Sequence, residues 1–577
     1  NSSDKERFIA AINARWDITD FLYVRGRIGG DRYTVSKQNS TPWGTAYQMK
    51  GSMSESEDTY RQYDADMFIG TDNLTLADGV SLTAFAGIGT NNQKYEAYRV
   101  SGSDFIVPFL LNVGNTKNQG HGYSIWEKQI NSAYGSAELG FMDYAFLTVT
   151  ARNDWFSTLS QKGKVAPNND LYTSASLSLV LSDALDLGET ISFLKLRGGV
   201  SQVAGGANNP YALSLSYGIY GQGHLGASLG NISGGTIPNS EITPFEKNET
   251  EFGIDLRLFD NRLSIDATMY DNETLGDIVG VSASATSGYG SALANLGNIS
   301  NKGIELLIKG TLIQTEDFAW NASINYTNNT SKVVATNDAA GNISMAEPRS
   351  RNIRVTHIVG EKYGALYGSS FVRDASGSIV HEMVNGIPIP KVGGRKILGF
   401  GVAPTQLGIG TSFRYKDFNG SLLFEGKSGG QVYSGTNAYL KRNGHHKITV
   451  PAGGREAGFV PTGVMADGST ITASIPANLQ EDYWRRSYLI AEQDVVDADY
   501  MRLRSLSIGY NIPSDKLEGT FISKASISLI GRNLFFLSNS VDNLDPESAY
   551  NAGNSAGLEY FALPVPRTIG LNINLKF

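Results

Sequence analysis

The stretch Arg567–Phe577, which reads RTIGLNINLKF, decides the fold. Apolar and polar residues alternate strictly along it, so a β-strand would send all apolar side chains to one face. That apolar set is Ile569, Leu571, Ile573, Leu575 and Phe577. Because no later element covers this face, we expect it to meet either a second sheet, as in a soluble sandwich, or lipid, as in an outer-membrane barrel.

Composition favours the barrel over the sandwich. The chain has 577 residues, more than one soluble core usually holds, with 65 Gly, 28 Tyr, 25 Phe and no Cys. Its mean hydropathy of -0.20 excludes a helical membrane protein, whereas the strands of a barrel are only half apolar. The net charge of -8 supplies no basic patch for phosphates, so we expect no nucleic-acid partner.

Upstream of the last strand, the chain repeats a unit of strand, short turn, strand and long polar loop. Such alternation is typical of outer-membrane barrels, in which brief periplasmic turns alternate with extended outer loops. The predicted short turns include Asp17–Asp20, Asp78–Gly79, Met142–Asp143, Asp260–Asn261 and Gln314–Asp317. The predicted long loops include Thr34–Asp58, Ser101–Gly122, Gly205–Phe245, Ser434–Glu492 and Ser538–Pro564.

The same two-residue period identifies a lipid-facing side in other strands. In FAWNASINYT, Phe318–Thr327, the apolar positions include Trp320 and Ile324, with Asn and Ser opposite. Trp16 and Trp320 are in phase with the apolar face and next to short turns, where an interfacial belt would lie. The alternative is that each tryptophan caps a soluble core.

The strand count is about 19, including a short hairpin made from NIRVTHIV, Asn352–Val359, and YGALYGSSFVRD, Tyr363–Asp374. A bacterial single-chain barrel needs an even number, and 22 strands is the size of plugged transporters. We therefore expect residues 1–577 to be the C-terminal portion of a 22-strand barrel, with the plug domain and first strands outside this chain. The opening NSSDKER has no apolar core of a signal peptide, which agrees with a mature chain or part of a longer one.

Several segments together resemble one family. They are FLKLRGGVSQVAG, EKNETEFGIDLRLFDNRLSIDATMYDNET, ANLGNISNKGIELLIKGT, FAWNASINYTNNTSKVV, VGEKYGALYGSSFVRD, DADYMRLRSLSIGYNIP, GRNLFF, DPES and PRTIGLNINLKF. In this order, from about Phe141 to Phe577, they resemble the barrel of a SusC/RagA-type TonB-dependent transporter of Bacteroidetes. Before Phe141 the likeness is one of style only.

The resemblance implies an all-β transmembrane antiparallel barrel in the outer membrane of a Gram-negative, Bacteroidetes-like cell. It implies active uptake of an oligosaccharide or peptide, a SusD-like lipoprotein over the outer mouth, and coupling to TonB through the N-terminal region that this chain lacks. It also implies that Phe577 belongs to the barrel-insertion signal. No cofactor is expected.

Two loop segments are candidates for binding. YGIYGQGHLGASLGNISGG places Tyr217, Tyr220 and His224 among glycines, a mixture that would stack on a sugar ring or peptide backbone; a solvated flexible loop would have the same composition. FIVPFLLNV is the most apolar loop, and its Phe105, Ile106, Phe109 and Leu110 would dock the lid lipoprotein if exposed. Burial beneath neighbouring loops is the alternative.

Metal and anion sites have little support in the sequence. His445 and His446 have no further ligand at suitable spacing, and Trp484 with Arg485 and Arg486 gives only an arginine pair beside an aromatic residue. Asp542, Asp545 and Glu547 in DNLDPES depart from the spacing of a calcium loop, which favours a plain turn with solvated carboxylates. We expect no metal.

Enzymatic function is not expected, because HExxH and phosphate-loop motifs and paired Cys residues are missing from the sequence. Three transport or surface functions stay open. Active import by a plugged barrel is the first, a passive diffusion porin the second, and an adhesion or structural barrel the third. A plug and a TonB-binding segment would separate the first from the other two.

Overall fold

A computed structural model describes residues 1–161, 164, 166–225, 227–233, 235–282, 285–336, 342–346, 352–548 and 556–577. Two compact units divide the chain. Unit 1 comprises Asn1–Asp183, Arg197–Thr250 and Thr274–Leu296, and unit 2 comprises Ala184–Leu196, Glu251–Glu273 and Gly297–Phe577. No helix in the described ranges has the length and apolar character needed to cross a membrane.

The first part of the chain is almost entirely strand. Strands β8, β12, β13 and β14 contribute residues to both units, and the other strands up to β11 belong to unit 1. The elements are β1 Ser2–Asp17, β2 Leu22–Thr41, β3 Ser52–Ala77, β4 Val80–Phe105, β5 Thr116–Phe141, β6 Ala145–Phe156, β7 Asn169–Val180, α1 Leu181–Ala184, β8 Ile191–Gly205, β9 Ser216–His224, β10 Ala227–Ser233, β11 Thr236–Ile237, β12 Phe245–Leu258, β13 Leu263–Ser282 and β14 Ser291–Gln314.

The rest of unit 2 combines further long strands with many short elements in the connections between them. The elements are β15 Phe318–Ala335, β16 Asn342–Ala346, β17 Ile353–Ile358, β18 Ala365–Phe371, β19 Val380–Val384, β20 Ile387–Pro390, β21 Val392–Phe400, β22 Thr405–Tyr415, β23 Phe418–Ser428, β24 Gln431–Ser434, α2 Gly435–Arg442, β25 Val464–Met465, α3 Gln480–Ser487, β26 Val495–Asp497, β27 Tyr500–Ile512, β28 Lys524–Asn539, β29 Leu558–Glu559 and β30 Thr568–Lys576.

Among the described residues, eighteen strands form the main sheet, close to the predicted count of about 19. In unit 1, each strand from β1 to β7 pairs antiparallel with the next. In unit 2, antiparallel pairing runs through β14, β15, β22, β23, β27, β28 and β30. The all-β antiparallel fold predicted from the period-two pattern is confirmed.

The short turns lie where the sequence predicts them. β3 and β4 meet at Asp78–Gly79, and β5 and β6 are joined at residues 142–144. Met142 and Asp143 both have positive φ (46° and 58°), as does Gly79 (70°). Such angles match the right-handed twist of the strands that a tight hairpin joins.

Strands of unit 1 extend far into the segments predicted as loops. Thr34–Asp58 was expected to be a loop, yet β2 continues to Thr41 and β3 begins at Ser52, so only residues 42–51 connect them. The predicted loop Ser101–Gly122 likewise shrinks to residues 106–115. The prediction was wrong because these strand ends are polar on both faces, which removes the apolar alternation that marks a half-buried strand.

The exposure of the apolar side chains agrees with the predicted lipid-facing side of the strands. Ile569, Leu571 and Ile573 of β30 are exposed on one face, and each lies directly opposite a residue of β28. Trp16 and Trp320 are also exposed and lie beside the short turns at residues 18–21 and 315–317. A continuous exposed apolar surface of this kind is the lipid-facing side of a membrane barrel.

The hairpin of Asn352–Val359 and Tyr363–Asp374 exists, as β17 and β18, but it does not belong to the wall. Both strands lie in a separate four-stranded sheet with β16 and β21. Nearly all their residues are buried or half-buried on both faces, so the pattern has no lipid side. Counting this hairpin as part of the wall was therefore wrong.

Buried side chains are concentrated in the connections of unit 2 more than in its wall. One cluster includes Ile353, Leu366, Tyr433 and Leu558, which come from three different connections, and each is almost inaccessible to solvent. A second cluster includes Ile387, Ile475 and Trp484. These connections therefore fold around cores of their own.

Candidate functional site

The apolar segment after β4 is a fixed loop. The Asn115 side chain accepts a hydrogen bond from the Val107 amide (3.0 Å) and donates to the carbonyl oxygens of Val107 and Leu110 (both 2.8 Å). Asn112 accepts a hydrogen bond from the Gly114 amide (2.7 Å). One asparagine thus satisfies three backbone groups of a ten-residue connection, which holds its shape without an apolar core.

Three apolar side chains of this loop point outward. Ile106, Phe109 and Leu110 are exposed, Phe109 to 75%. Phe105 differs, because only 2% of it is exposed and its amide donates to the carbonyl oxygen of Lys50 in the connection between β2 and β3. Phe105 therefore cannot offer its ring to a partner, and the expectation for it is corrected. Ile106, Phe109 and Leu110 are called the apolar loop patch below.

The predicted ligand residues Tyr217, Tyr220 and His224 lie on the hairpin of β9 and β10. Tyr217 and His224 are exposed and seven residues apart on one strand, so they occupy opposite faces of the hairpin. The side chain of Tyr220 lies outside what the structure describes. The hairpin therefore presents Tyr217 and His224 separately, and they do not converge on one point.

The residues around Trp484 form core and surface pairs. Trp484 is buried, stacks on Phe459 with ring centroids 6.0 Å apart, and meets Tyr483 edge to face. Arg485 pairs with Glu481 at 3.0 Å, one helical turn away in α3. The arrangement gives no convergent anion site at Trp484, because that side chain is used in packing.

His445 and His446 lie in different environments. His445 is exposed, whereas His446 is buried and its Nδ1 accepts a hydrogen bond from the Ile448 amide (3.2 Å). Burial, with Lys441 and Lys447 nearby, lowers the pKa of His446 and keeps it neutral. Within the described ranges, no group of three or more His, Cys, Asp or Glu side chains is placed to hold a metal ion.

The DPES segment carries an ion-pair network that the sequence analysis missed. Arg502 of β27 donates to Asp545 (2.5 Å) and to Glu547 (2.7 Å), and Arg504 donates to Glu547 (2.6 Å). Asp545 also accepts from the Val565 amide (3.2 Å). We call Arg502, Arg504, Asp545 and Glu547 the loop clamp, because they bind the connection after β28 to a wall strand.

The clamp overturns the expectation of solvated carboxylates. Asp545 is only 6% exposed, and Glu547 is half-buried. Burial alone would raise the pKa of Glu547, but hydrogen bonds from Arg504 and Tyr500 outweigh it and hold the pKa below its usual value. Only Asp542 behaves as predicted, in an exposed pair with Lys447 (2.6 Å). The signal for the clamp was two arginines at i and i+2 in β27.

These features define a class of protein. The strands have one exposed apolar face and one polar face, and short turns alternate with longer connections between them. This combination is typical of the wall of an outer-membrane β-barrel. The chain belongs to the TonB-dependent receptor family: the model described as "TonB dependent receptor-like, beta-barrel" matches residues 1–534.

Known relatives agree with this membership. TonB-dependent receptor P3 of Formosa agariphila is 25% identical over 553 residues, which cover 88% of this chain and 51% of that protein. TonB-dependent receptor P26 of the same organism is 26% identical over 542 residues, with 87% and 51% covered. The chain spans about half the length of the relatives it matches.

Among solved structures, the RagAB peptide transporter is similar with a TM-score of 0.78 and 16% identity, over 100% of this chain and 62% of that one. The ferric-catecholate import receptor Fiu from E. coli K12 has a TM-score of 0.51 and 12% identity, over 100% and 64%. At these identities the likeness shows the fold alone.

Proposed function

We propose that this chain is the wall of an outer-membrane importer that takes up an oligosaccharide or peptide by TonB-dependent active transport. The observation that carries the proposal is the family match over residues 1–534. Physical reasoning adds to it, since a lumen as wide as that of a 22-strand barrel needs a plug to prevent leakage. Moving a plug requires work, which a periplasmic partner has to supply.

The proposal includes parts beyond residues 1–577. In the described strand pairs, β1 pairs only with β2, which leaves the other edge of its 16 residues open. An unpaired strand edge in lipid is unfavourable, because each backbone N–H or C=O group without a hydrogen bond in the hydrocarbon costs on the order of several kcal/mol of free energy. We therefore propose further strands along β1, together with a plug domain and a segment that contacts TonB.

We propose that a SusD-like lipoprotein binds the apolar loop patch. Ile106, Phe109 and Leu110 form an exposed apolar surface on a loop that is already ordered, so binding would cost little conformational entropy. The test is co-purification of the lipoprotein with Phe109→Asp/Leu110→Asp. Leu185→Asp, an equally exposed apolar residue beside α1 at a short turn, is the control. Equal recovery with both variants would contradict this partner site.

Two further assignments belong to the same proposal. Tyr217, Tyr220 and His224 on the β9–β10 hairpin would contact substrate, and Tyr217→Ala should then weaken ligand binding without changing assembly. Phe577 would serve barrel insertion; its ring stacks on that of Phe521 with centroids 5.6 Å apart. Deleting Phe577 should lower the yield in the outer membrane, whereas Phe521→Ala, which removes only the stacking, should not.

The decisive experiment measures uptake of labelled oligosaccharides and peptides by intact cells that express the full-length protein. Uptake should stop when TonB is deleted or the proton gradient is dissipated. Uptake that continues without TonB would indicate a passive diffusion porin. Surface binding with no uptake under either condition would indicate an adhesion barrel.

A further inference from the structure

Four aromatic residues form a row across neighbouring strands of unit 1. Tyr33 in β2 lies directly opposite Tyr60 in β3, Tyr60 opposite Tyr95 in β4, and Tyr95 opposite Trp126 in β5. Directly opposed residues of antiparallel strands share a face, so all four rings are on the same side. Tyr33 and Tyr60 stack at 5.0 Å, and Tyr95 and Trp126 stack at 5.6 Å.

The row is on the polar face of these strands. Ile28, Met67 and Ile88, which lie an odd number of residues away from the rings along their strands, are exposed on the opposite, apolar face. The apolar face of an outer-membrane barrel contacts lipid, so the polar face lines the lumen. The four rings are therefore part of the lumen surface.

The row lies beyond the lipid band, toward the long connections. On the outer face at the same level, the ion pairs Arg61–Glu96 (2.8 Å) and Lys94–Glu127 (3.0 Å) replace the apolar residues. Charged pairs of this kind lie in water and not in hydrocarbon. All four rings of the row are half-buried, which leaves part of each accessible from the lumen.

Amide and carboxylate groups border the rings on the same face. The Tyr60 hydroxyl donates to Gln62 Oε1 (2.9 Å), and Gln62 donates to Asp64 (2.8 Å). Asp64 also accepts from Asn91 (2.5 Å), and Asn91 accepts from Gln93 (2.9 Å). Amides and carboxylates with unused lone pairs or N–H groups can bind the hydroxyl groups of a ligand.

We propose that this row is an oligosaccharide-binding platform inside the lumen. Because the two stacked pairs turn ring faces toward each other, the accessible ring edges and hydroxyl groups would contact successive pyranose units while the neighbouring amides bind their hydroxyl groups. The inference rests on the proposed import function and names the substrate class. Tyr33, Tyr60, Tyr95 and Trp126 are the contact residues, and the sequence analysis had not selected them.

A saccharide suits this surface better than a peptide does. β2, β3 and β4 are hydrogen-bonded on both sides, so a peptide cannot add to them as a strand. Two of the cations beside the row are paired with carboxylates, Arg7 with Asp31 at 2.6 Å and Lys37 with Asp58 at 2.7 Å. Two others lie over rings of the row, Lys5 Nζ 4.2 Å from the centroid of Tyr33 and Lys128 Nζ 5.8 Å from that of Trp126, so these cations are already engaged by the row itself.

The test uses the purified full-length protein on an array of plant, algal and mucin oligosaccharides, with a tryptic peptide digest as comparison. At least one class of oligosaccharide should bind. Tyr60→Ser/Tyr95→Ser should raise its Kd at least about tenfold, because two aromatic contacts with the ligand are lost. Tyr63→Ser/Tyr98→Ser is the matched control: both tyrosines are on the same two strands, exposed on the opposite face. Quenching of Trp126 fluorescence by the ligand gives a second reading.

Three results would overturn the platform: no oligosaccharide bound on the array, binding of peptides alone, or oligosaccharide binding that Tyr60→Ser/Tyr95→Ser leaves unchanged. Because the measurement is at equilibrium and needs no TonB, it is independent of the uptake experiment. TonB-dependent uptake with no array binding would remove the platform and leave the importer intact. Array binding with no uptake would support the platform and contradict the proposed import function.

Discussion

The two units build the long-connection end of the wall in different ways. In unit 1, β3 and β4 have 26 residues each and are joined to their neighbours by connections of ten residues. In unit 2, β22 and β23 have only 11 residues each, and the connections after β15, β23 and β28 fold around their own cores. Backbone pairing maintains the long ends of β2 to β5, whereas side-chain packing with buried charges maintains the connections of unit 2. Unit 1 has a buried core of this kind, which includes Phe156, Leu159 and Ile242 and lies in the connections that follow β6 and β8.

This difference predicts where a single side chain matters. A strand pair distributes its stability over many equivalent backbone hydrogen bonds, so removing one surface contact changes little. A buried cluster or ion pair concentrates stability in few side chains. Removing one member of a buried ion pair leaves the other charge without water and without an opposite charge. Unit 2 should therefore be the more sensitive region.

The largest effect is expected at the loop clamp. Arg502→Met leaves Asp545 buried without its cation, which should cost about 3–5 kcal/mol of local stability. Proteolysis of residues 540–567 in native membranes should then become much faster while the barrel stays assembled. Lys447→Met, which breaks the exposed pair with Asp542, is the control and should leave that rate unchanged. Equal rates in both variants would mean that the clamp does not hold the connection.

The next effect tests the lipid face of the wall. Ile573→Lys places a charge in the apolar band and should cost roughly 2–4 kcal/mol near the middle of the bilayer. Asn572→Lys, on the polar face of the same strand, should be tolerated. The assembled fraction in outer membranes, read from heat-modifiable migration on gels, measures both. If the two variants assemble equally, the assignment of faces is wrong.

A pH effect should appear in unit 2. Burial lowers the pKa of His357 to about 4, and its ring lies 4.1 Å from that of Tyr363. In the unfolded chain, His357 has the usual histidine pKa near 6.5. The stability contributed by neutral, buried His357 is therefore fully present above about pH 6.5 and is lost as the pH falls toward 4, by at most about 3 kcal/mol. Hydrogen exchange of β17 and β18 at pH 7 and 4.5 measures the loss.

His357→Phe should remove this pH dependence, because phenylalanine retains the ring contact and cannot bind a proton. His445→Gln is the control, since His445 is exposed and should contribute nothing. A pH dependence that persists in His357→Phe would assign it to other groups.

The smallest effect is expected in unit 1. Arg7 pairs with Asp31 across β1 and β2, but Arg7 is exposed and Asp31 is only half-buried. Arg7→Ala should therefore leave assembly and proteolysis of unit 1 unchanged within error. If Arg7→Ala accelerated proteolysis of unit 1 as much as Arg502→Met accelerates that of residues 540–567, the two regions would not differ in sensitivity.

The sequence predicted those parts of the fold that follow from local rules. The alternation in Arg567–Phe577 identified the lipid face, and the positive-φ turn at Met142–Asp143 was recognised from its position between two strands. The long ends of β2 to β5 were missed, because strands that stand in water on both sides have no apolar period. Tyr33, Tyr60, Tyr95 and Trp126 lie in segments predicted as strands, but the alternation within one strand does not show which rings of neighbouring strands lie opposite one another.

The loop clamp was missed for another reason. Arg502 and Asp545 are 43 residues apart, and nothing local in DPES distinguishes a buried carboxylate from a solvated one. Phe105 shows the same limit, since its burial depends on the separate connection at residues 42–51. Such pairings depend on tertiary contacts alone.

The length of β3 and β4 has a consequence for anything anchored beside the mouth. Twenty-six residues at about 3.3 Å each, tilted by roughly 45°, rise about 60 Å, against an apolar band about 25 Å tall. The rim of unit 1 then stands roughly 30 Å above the head groups. The proposed lipoprotein lid would need a linker of about ten extended residues to reach the rim from its lipid anchor, so shortening that linker should keep the lid from reaching the rim.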